Sequence, residues 1–180
     1  MSTSRATWRR PSPLSRGGPV RLRRWREDDL PALVEALNDA EIARWMAFPS
    51  PFTEADGREF LARQGAASGS FAVTGENDAL LGAVWVRDVG EGRGQLGYWT
   101  AAPARGRGVA SEAVRQLVDR AFELGYHRLQ LLVEPANEAS VRVAENAGFR
   151  REGVMRGWME LRGSRPDLVM FALLPGDVRA

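Results

Sequence analysis

The sequence predicts an α/β fold: one domain on a mixed, mostly antiparallel sheet of about seven strands, flanked by helices. Three observations lead there. Short apolar runs of strand length alternate with longer runs whose apolar residues recur at helical spacing. Their order is one strand, a group of helices, three strands in succession, a long helix, a strand, a helix and two closing strands. The run "RLQLLVEP" is apolar almost throughout, as a central strand buried on both faces should be.

Each element has a local reason. Val20 to Trp25 alternates apolar and basic residues, as a first strand does. "REDD" then places acids at a helix start and Pro31 in its first turn, with Leu30, Leu33, Val34 and Leu37 on one face. Ile42, Trp45 and Met46 continue on a second short helix, which "PSPF" breaks. "TEADGREFLARQ" reads as a third helix capped by Thr53. "SFAVTG" and "ALLGAVWVRD" are strands around a turn at "ENDA", and "QLGYWTA" follows the turn "EGRG". In the long helix that follows, Ala110, Ala113, Val114, Leu117, Val118, Ala121 and Phe122 share one face, and Gly125 ends it. "NEASVRVAENAGF" is a short helix ending at Gly148. "VMRGWMELR" and "LVMFALL" are expected to close the sheet as a pair of strands. Residues 1–19 read as a basic leader, 20–175 as the domain and 176–180 as a tail.

Composition narrows the chemistry. The chain has 180 residues and 44% hydrophobic content, enough for one core. It has no cysteine, which excludes thiolate nucleophiles and disulfides and is compatible with a cytoplasmic protein. All 25 basic residues are arginine, which excludes Schiff-base chemistry. A single histidine, His127, excludes a multi-histidine metal site, and it reads as a structural or surface residue. No metal is expected. No run is long and apolar enough for a membrane span, and the leader lacks the apolar segment of a secretory signal. Net charge is +2, yet residues 1–26 hold eight arginines and no acid, leaving the body acidic. Nucleic acid would be reached only through that arm.

The stretch "PARGRGVASEAV" carries the functional signal. Gly106 and Gly108 can take backbone angles closed to other residues and allow close approach to the main chain. The helix that opens next has free amides and a positive dipole end, which together bind anions. Arg105 and Arg107 add charge there, so the stretch suits a phosphate. An ordinary strand-to-helix turn would look similar. Gly106, Gly108 and Ser111 also form a partial dinucleotide fingerprint, but the third glycine is missing and three strands in succession precede it.

Arg105-x-x-Gly108-x-Ala110 resembles the acetyl-CoA motif of the GNAT N-acetyltransferase superfamily. "RLRRWREDDLPAL", "LGYWTAAPARGRGVASEAV", "VEPANEASVRVAENAGFRREGVMR" and "RPDLVMFALL" are similar, in order, to blocks of its RimJ/RimL-like branch, from about Val20 to Leu174. The resemblance implies fourth and fifth strands that splay apart, here Gln95–Ala101 and Arg128–Pro135, with the pantetheine arm in the gap. It implies acetyl-CoA as co-substrate and direct attack by a primary amine, of a small molecule or a protein N-terminus, without an acyl-enzyme. Trp99, Thr100, Arg105, Gly106, Arg107, Gly108, Val109, Ala110, Ser111, Asn137 and Arg142 would meet CoA, and Asn137 and Ser140 would serve catalysis. Trp45 and Met46 would wall the amine. A monomer or a homodimer is implied.

The sequence departs from that pattern at three places. A tyrosine common in the superfamily is replaced by Ala144, which leaves Ser140 as the matched proton donor. A glutamate common on the fourth strand is replaced by Gln95, so a base would have to be water or a carboxylate such as Glu160. A lysine common before Ala-Gly-Phe is Asn146. Asn137 also suits a helix cap, and the tryptophans 25, 85, 99 and 158 suit the core. A non-catalytic acyl-CoA sensor and a nucleic-acid binder remain the competing readings.

Overall fold

The computed structural model describes residues 20–64 and 69–177; the leader at 1–19 and the last three residues lie outside them. Seven strands form one sheet: β1 (Arg21–Arg23), β2 (Ser70–Thr74), β3 (Leu80–Asp88), β4 (Arg93–Thr100), β5 (Arg128–Val133), β6 (Arg150–Met155) and β7 (Leu168–Leu173). Their spatial order is β1-β2-β3-β4-β5-β7-β6. Five helices accompany them: α1 (Leu30–Leu37), α2 (Ala40–Trp45), α3 (Glu54–Ala62), α4 (Val109–Glu123) and α5 (Glu138–Asn146).

Neighbouring strands run antiparallel except β4 and β5. The chain reaches β5 from β4 through α4, and such a crossover makes the pair parallel. That pairing is brief. Only Arg93, Gly94 and Gln95 register with Arg128, Leu129 and Gln130. Beyond them β4 stays with β3 as far as Thr100, and β5 stays with β7 as far as Val133. The two strands therefore part into a wedge at the middle of the sheet, as the resemblance implied.

The helices cover both faces. α4 lays Val114, Leu117 and Ala121, all with no exposed surface, against Val84, Leu96 and Leu129. Full burial of side chains of this kind contributes about 1.5–3 kcal/mol each for the larger ones. On the opposite face, Leu33, Leu37, Ile42 and Phe52, from α1, α2 and the segment between α2 and α3, pack on Ala72, Ala83 and Trp99.

Three expectations are corrected. The first strand is three residues long, because Trp25 leaves the ladder to pack edge-on against Phe60 at 5.2 Å and donates its indole N–H to Ser70 Oγ at 3.0 Å. The sixth strand begins at Arg150 rather than Val154. Gly148, at φ 86°, ends α5 and turns the chain directly into the sheet; Gly157, at φ 52°, ends β6. Residues 156–167 form an irregular connection instead. Trp158 rides on that connection, 49% exposed, and is not a core residue.

Candidate active site

The wedge opens into a cavity of about 870 Å³, within the usual range for small-ligand sites. Its lining comes from both faces of the sheet. On the α4 side it includes Gly106, Gly108, Ala110 and the start of α5; on the other side it includes α2, Trp85, Gln95 and the 156–167 connection. The cavity thus passes through the sheet where β4 and β5 part.

At the first mouth, Gly108 is the residue before α4 and sits at φ 76°, with Gly106 at 71°. Only glycine holds this left-handed conformation without strain. A Cβ added at either position would meet no atom within 4 Å, so the space beside this backbone is open. The first amides of the fifteen-residue α4 have no carbonyl within the helix to bond. Donors and dipole converge on a position that suits phosphate.

Arg105 lines the cavity with its charge already paired. Its guanidinium forms an ion pair with Asp39, and its Nε–H donates to the Thr100 carbonyl at 3.3 Å. Asp39 is also the N-cap of α2, where Oδ1 accepts from the amides of Glu41 and Ile42, each at 3.1 Å. One carboxylate therefore joins the glycine loop to the helix that walls the other mouth. The Arg105 guanidinium beside it holds the Asp39 carboxyl below the usual carboxylate range. Arg107 is exposed, 3.5 Å from the Pro103 carbonyl, and alone among the residues expected to meet CoA does not line the cavity.

Ser140 and Asn137 meet at the start of α5. Asn137 is the cap: its side-chain oxygen accepts from the Ser140 amide at 3.1 Å. Ser140 itself lines the cavity, and its side chain is not the cap. Arg142 is exposed and 3.4 Å from Glu138. Tyr98, which sequence reading missed, stands on β4 and donates its hydroxyl to the Ser140 carbonyl at 3.2 Å, linking β4 to the first turn of α5. Burial pushes its pKa up to about 12, so it stays neutral.

The second mouth is apolar and held in shape. Trp45 donates its indole N–H to Glu41 at 2.7 Å, while the Arg44 guanidinium lies 4.6 Å from its ring centre. Trp85 packs against Gly97, close enough that a Cβ there would come within 2.2 Å of the indole. Met46, Met159 and Leu161 complete the apolar wall. The lining carboxylates are Glu41 and Glu134, not Glu160, which is exposed and outside it. The spacing of Glu41 and Trp45, four apart on one helix, was the available signal for the first.

A mixed sheet parted between two parallel strands, with a glycine-started helix at the opening, defines an acyltransferase that takes its acyl group from a coenzyme A thioester. The chain belongs to the GNAT acetyltransferase domain family, which matches residues 20–150, and is an N-acetyltransferase. It is 30% identical over 163 residues to the N-acetyltransferase p20 of Bacillus licheniformis, covering 85% of this chain and 91% of that protein. Its fold resembles RimJ of Mycobacterium smegmatis in complex with CoA-disulfide, with TM-score 0.81, 22% identity, and 91% and 85% of the two chains covered. It also resembles the spermidine N-acetyltransferase of Vibrio cholerae in complex with CoA and spermine, with TM-score 0.75, 21% identity, and 88% and 97% covered. The family uses acetyl-CoA, and the open glycine loop fits its pyrophosphate. Among the described residues no cluster suited to a metal occurs, and no helix is long and apolar enough to cross a membrane.

Proposed function

We propose that the enzyme acetylates a primary α-amine, on a protein N-terminus or a small molecule, in preference to lysine side chains and polyamines. The observation that carries this reading is the state of the polar groups at the second mouth. Glu41 already accepts from Trp45, Glu134 is paired with Arg162, and Gln95 offers only an amide. The acceptor must therefore supply its own neutral form. An α-amine with pKa about 7.7–8.0 is about one-third neutral at pH 7.5, whereas a lysine amine near 10.4 is only about 0.1% neutral. Charge supports the same choice. Glu41 and Glu134 are balanced at this mouth by Arg87 and Arg162, so no negative surplus attracts a polycation.

In the proposed reaction the amine nitrogen bonds to the acetyl carbon and the carbon–sulfur bond breaks. Sulfur leaves with the electron pair, and the amine proton passes to water. No acyl-enzyme forms. Ser140, on the cavity wall, is the donor proposed for the departing sulfur. The amides from Gly106 to Ala110 are proposed to hold the pyrophosphate, and Trp45 and Met46 to wall the acceptor.

The test follows release of free thiol from acetyl-CoA with three acceptors: a peptide with a free N-terminus, an N-terminally blocked peptide with one lysine, and spermidine. The free N-terminus should react fastest. Spermidine as the best acceptor, with the free N-terminus inert, would overturn the proposal.

A further inference from the structure

We infer that Arg162 is a positioning residue that straps the second mouth of the cavity, tying α2 to the 156–167 connection and so limiting how wide an acceptor can enter. What passes beneath the strap depends on the acetyltransferase reading; the strap itself does not.

The strap is built by a two-residue turn. Leu161 and Ser164 exchange backbone hydrogen bonds at 2.8 and 3.0 Å around Arg162 and Gly163. Both central residues lie at positive φ, 50° and 74°, as a type I′ hairpin turn requires. A positive φ is unusual for arginine and needs support from its surroundings. The support comes from the guanidinium. Its Nη1 donates to the Trp45 carbonyl at 3.2 Å, and its Nη2 pairs with Glu134 just past the end of β5. Trp45 is the last residue of α2, where carbonyls have no helical partner and accept such a donor readily.

These contacts join the end of α2, the end of β5 and the 156–167 connection. The side chains of Arg162 and Glu134 are 26% and 17% exposed, so the pair is screened less than an open surface pair. Leu161, at the start of this turn, and Met159, two residues before it, line the cavity together with Trp45 and Met46. Asp39 and Arg105 hold the other end of α2. A six-residue helix anchored at both ends by arginines from distant loops forms one side of a ring, and the acceptor must pass through it.

Two readouts test this on the full chain with Arg162→Ala and Glu134→Gln. The first is amide hydrogen exchange, which needs no amine. Exchange over residues 42–47 and 156–165 should rise together in Arg162→Ala, by about tenfold if the tie contributes as a charge-assisted hydrogen bond does. The second uses peptides beginning with glycine, leucine or tryptophan. In Arg162→Ala the KM for the glycine peptide should rise about five- to tenfold with kcat within about twofold, and the tryptophan peptide should gain relative to it. Should Arg162→Ala fold poorly, Arg162→Lys, which keeps the charge but not the fork, should show the same changes at smaller size. Unchanged exchange at 42–47, or an unchanged acceptor preference in a protein that turns over, overturns the strap. A parent inert to every amine, with coupled exchange in the variant, counts against the acetyltransferase reading alone.

Discussion

Replacing Gly108 by alanine separates the glycine loop's role in ligand binding from its role in folding. Gly108 sits at φ 76°, and an added Cβ would meet nothing within 4 Å, so the variant suffers from backbone conformation and not from a clash. The left-handed conformation costs a side-chain-bearing residue about 1–2 kcal/mol, partly offset because alanine also stiffens the unfolded chain by about 0.4–1 kcal/mol. A net loss of about 1 kcal/mol should lower Tm by about 2–4 °C. Gly125 is the control: it lies at φ 91°, an added Cβ there also meets nothing within 4 Å, and it ends α4 far from the cavity. Gly125→Ala should lose similar stability and bind acetyl-CoA as the parent does. In Gly108→Ala the methyl occupies the space proposed for the pyrophosphate. Losing one charge-assisted hydrogen bond, about 1.5–3 kcal/mol, weakens binding about 10- to 150-fold. Calorimetric titration with acetyl-CoA and thermal melts of all three proteins decide it. Equal acetyl-CoA affinity in the two variants would refute the placement of the pyrophosphate.

Other outcomes follow from the same geometry. Ser140→Ala should lower kcat by about tenfold or somewhat more, at the low end of general-acid effects, with Tm unchanged; Asn137→Ala should instead lose about 1 kcal/mol of stability, since Asn137 is the cap. Unchanged kcat in Ser140→Ala at saturating substrates would remove Ser140 from the reaction. The folded-state pKa of Asp39 is depressed, chiefly by Arg105. Its contribution to stability is therefore fully present above the ordinary carboxylate value of about 3.9 and lost as pH falls through the depressed one. Asp39→Asn should accordingly show a flatter fall of Tm between pH 5 and pH 3, and a fall as steep as the parent's would disprove the Asp39–Arg105 tie. Deleting residues 1–18 should leave turnover on a small amine nearly unchanged, because that composition cannot build a core.

What could be read from the sequence was local. Glycines before a helix start, the apolar face of α4 and the Asn137 cap are patterns within a few residues, and the structure has each of them; β5, expected to be buried on both faces, instead alternates, with Leu129, Leu131 and Val133 buried and Arg128, Gln130 and Leu132 half-buried. The parted strands came from the family resemblance, because nothing within β4 or β5 says where their pairing stops. The ties between distant segments were not readable. Asp39 and Arg105 are 66 positions apart, and Trp45 and Arg162 are 117 apart. Each side chain alone looks like an ordinary solvated charge, and only the folded chain shows that the first arginine of the loop braces α2. Tyr98 was lost among the alternating residues of a strand, since its partner is the backbone carbonyl of another element. The sixth strand was misplaced because "VMRGWMELR" is rich in residues that suit strands, while the left-handed glycine at 157 stops it early.

The most direct measurement mixes the protein, acetyl-CoA and a peptide with a free N-terminus, then follows three quantities together: free thiol, the mass of the peptide and the mass of the protein. Thiol should appear only when both substrates are present, in equal amount to a peptide heavier by one acetyl group, with the protein's mass unchanged throughout. Thiol released without peptide, together with a protein that gains an acetyl group, would contradict direct transfer through the parted strands.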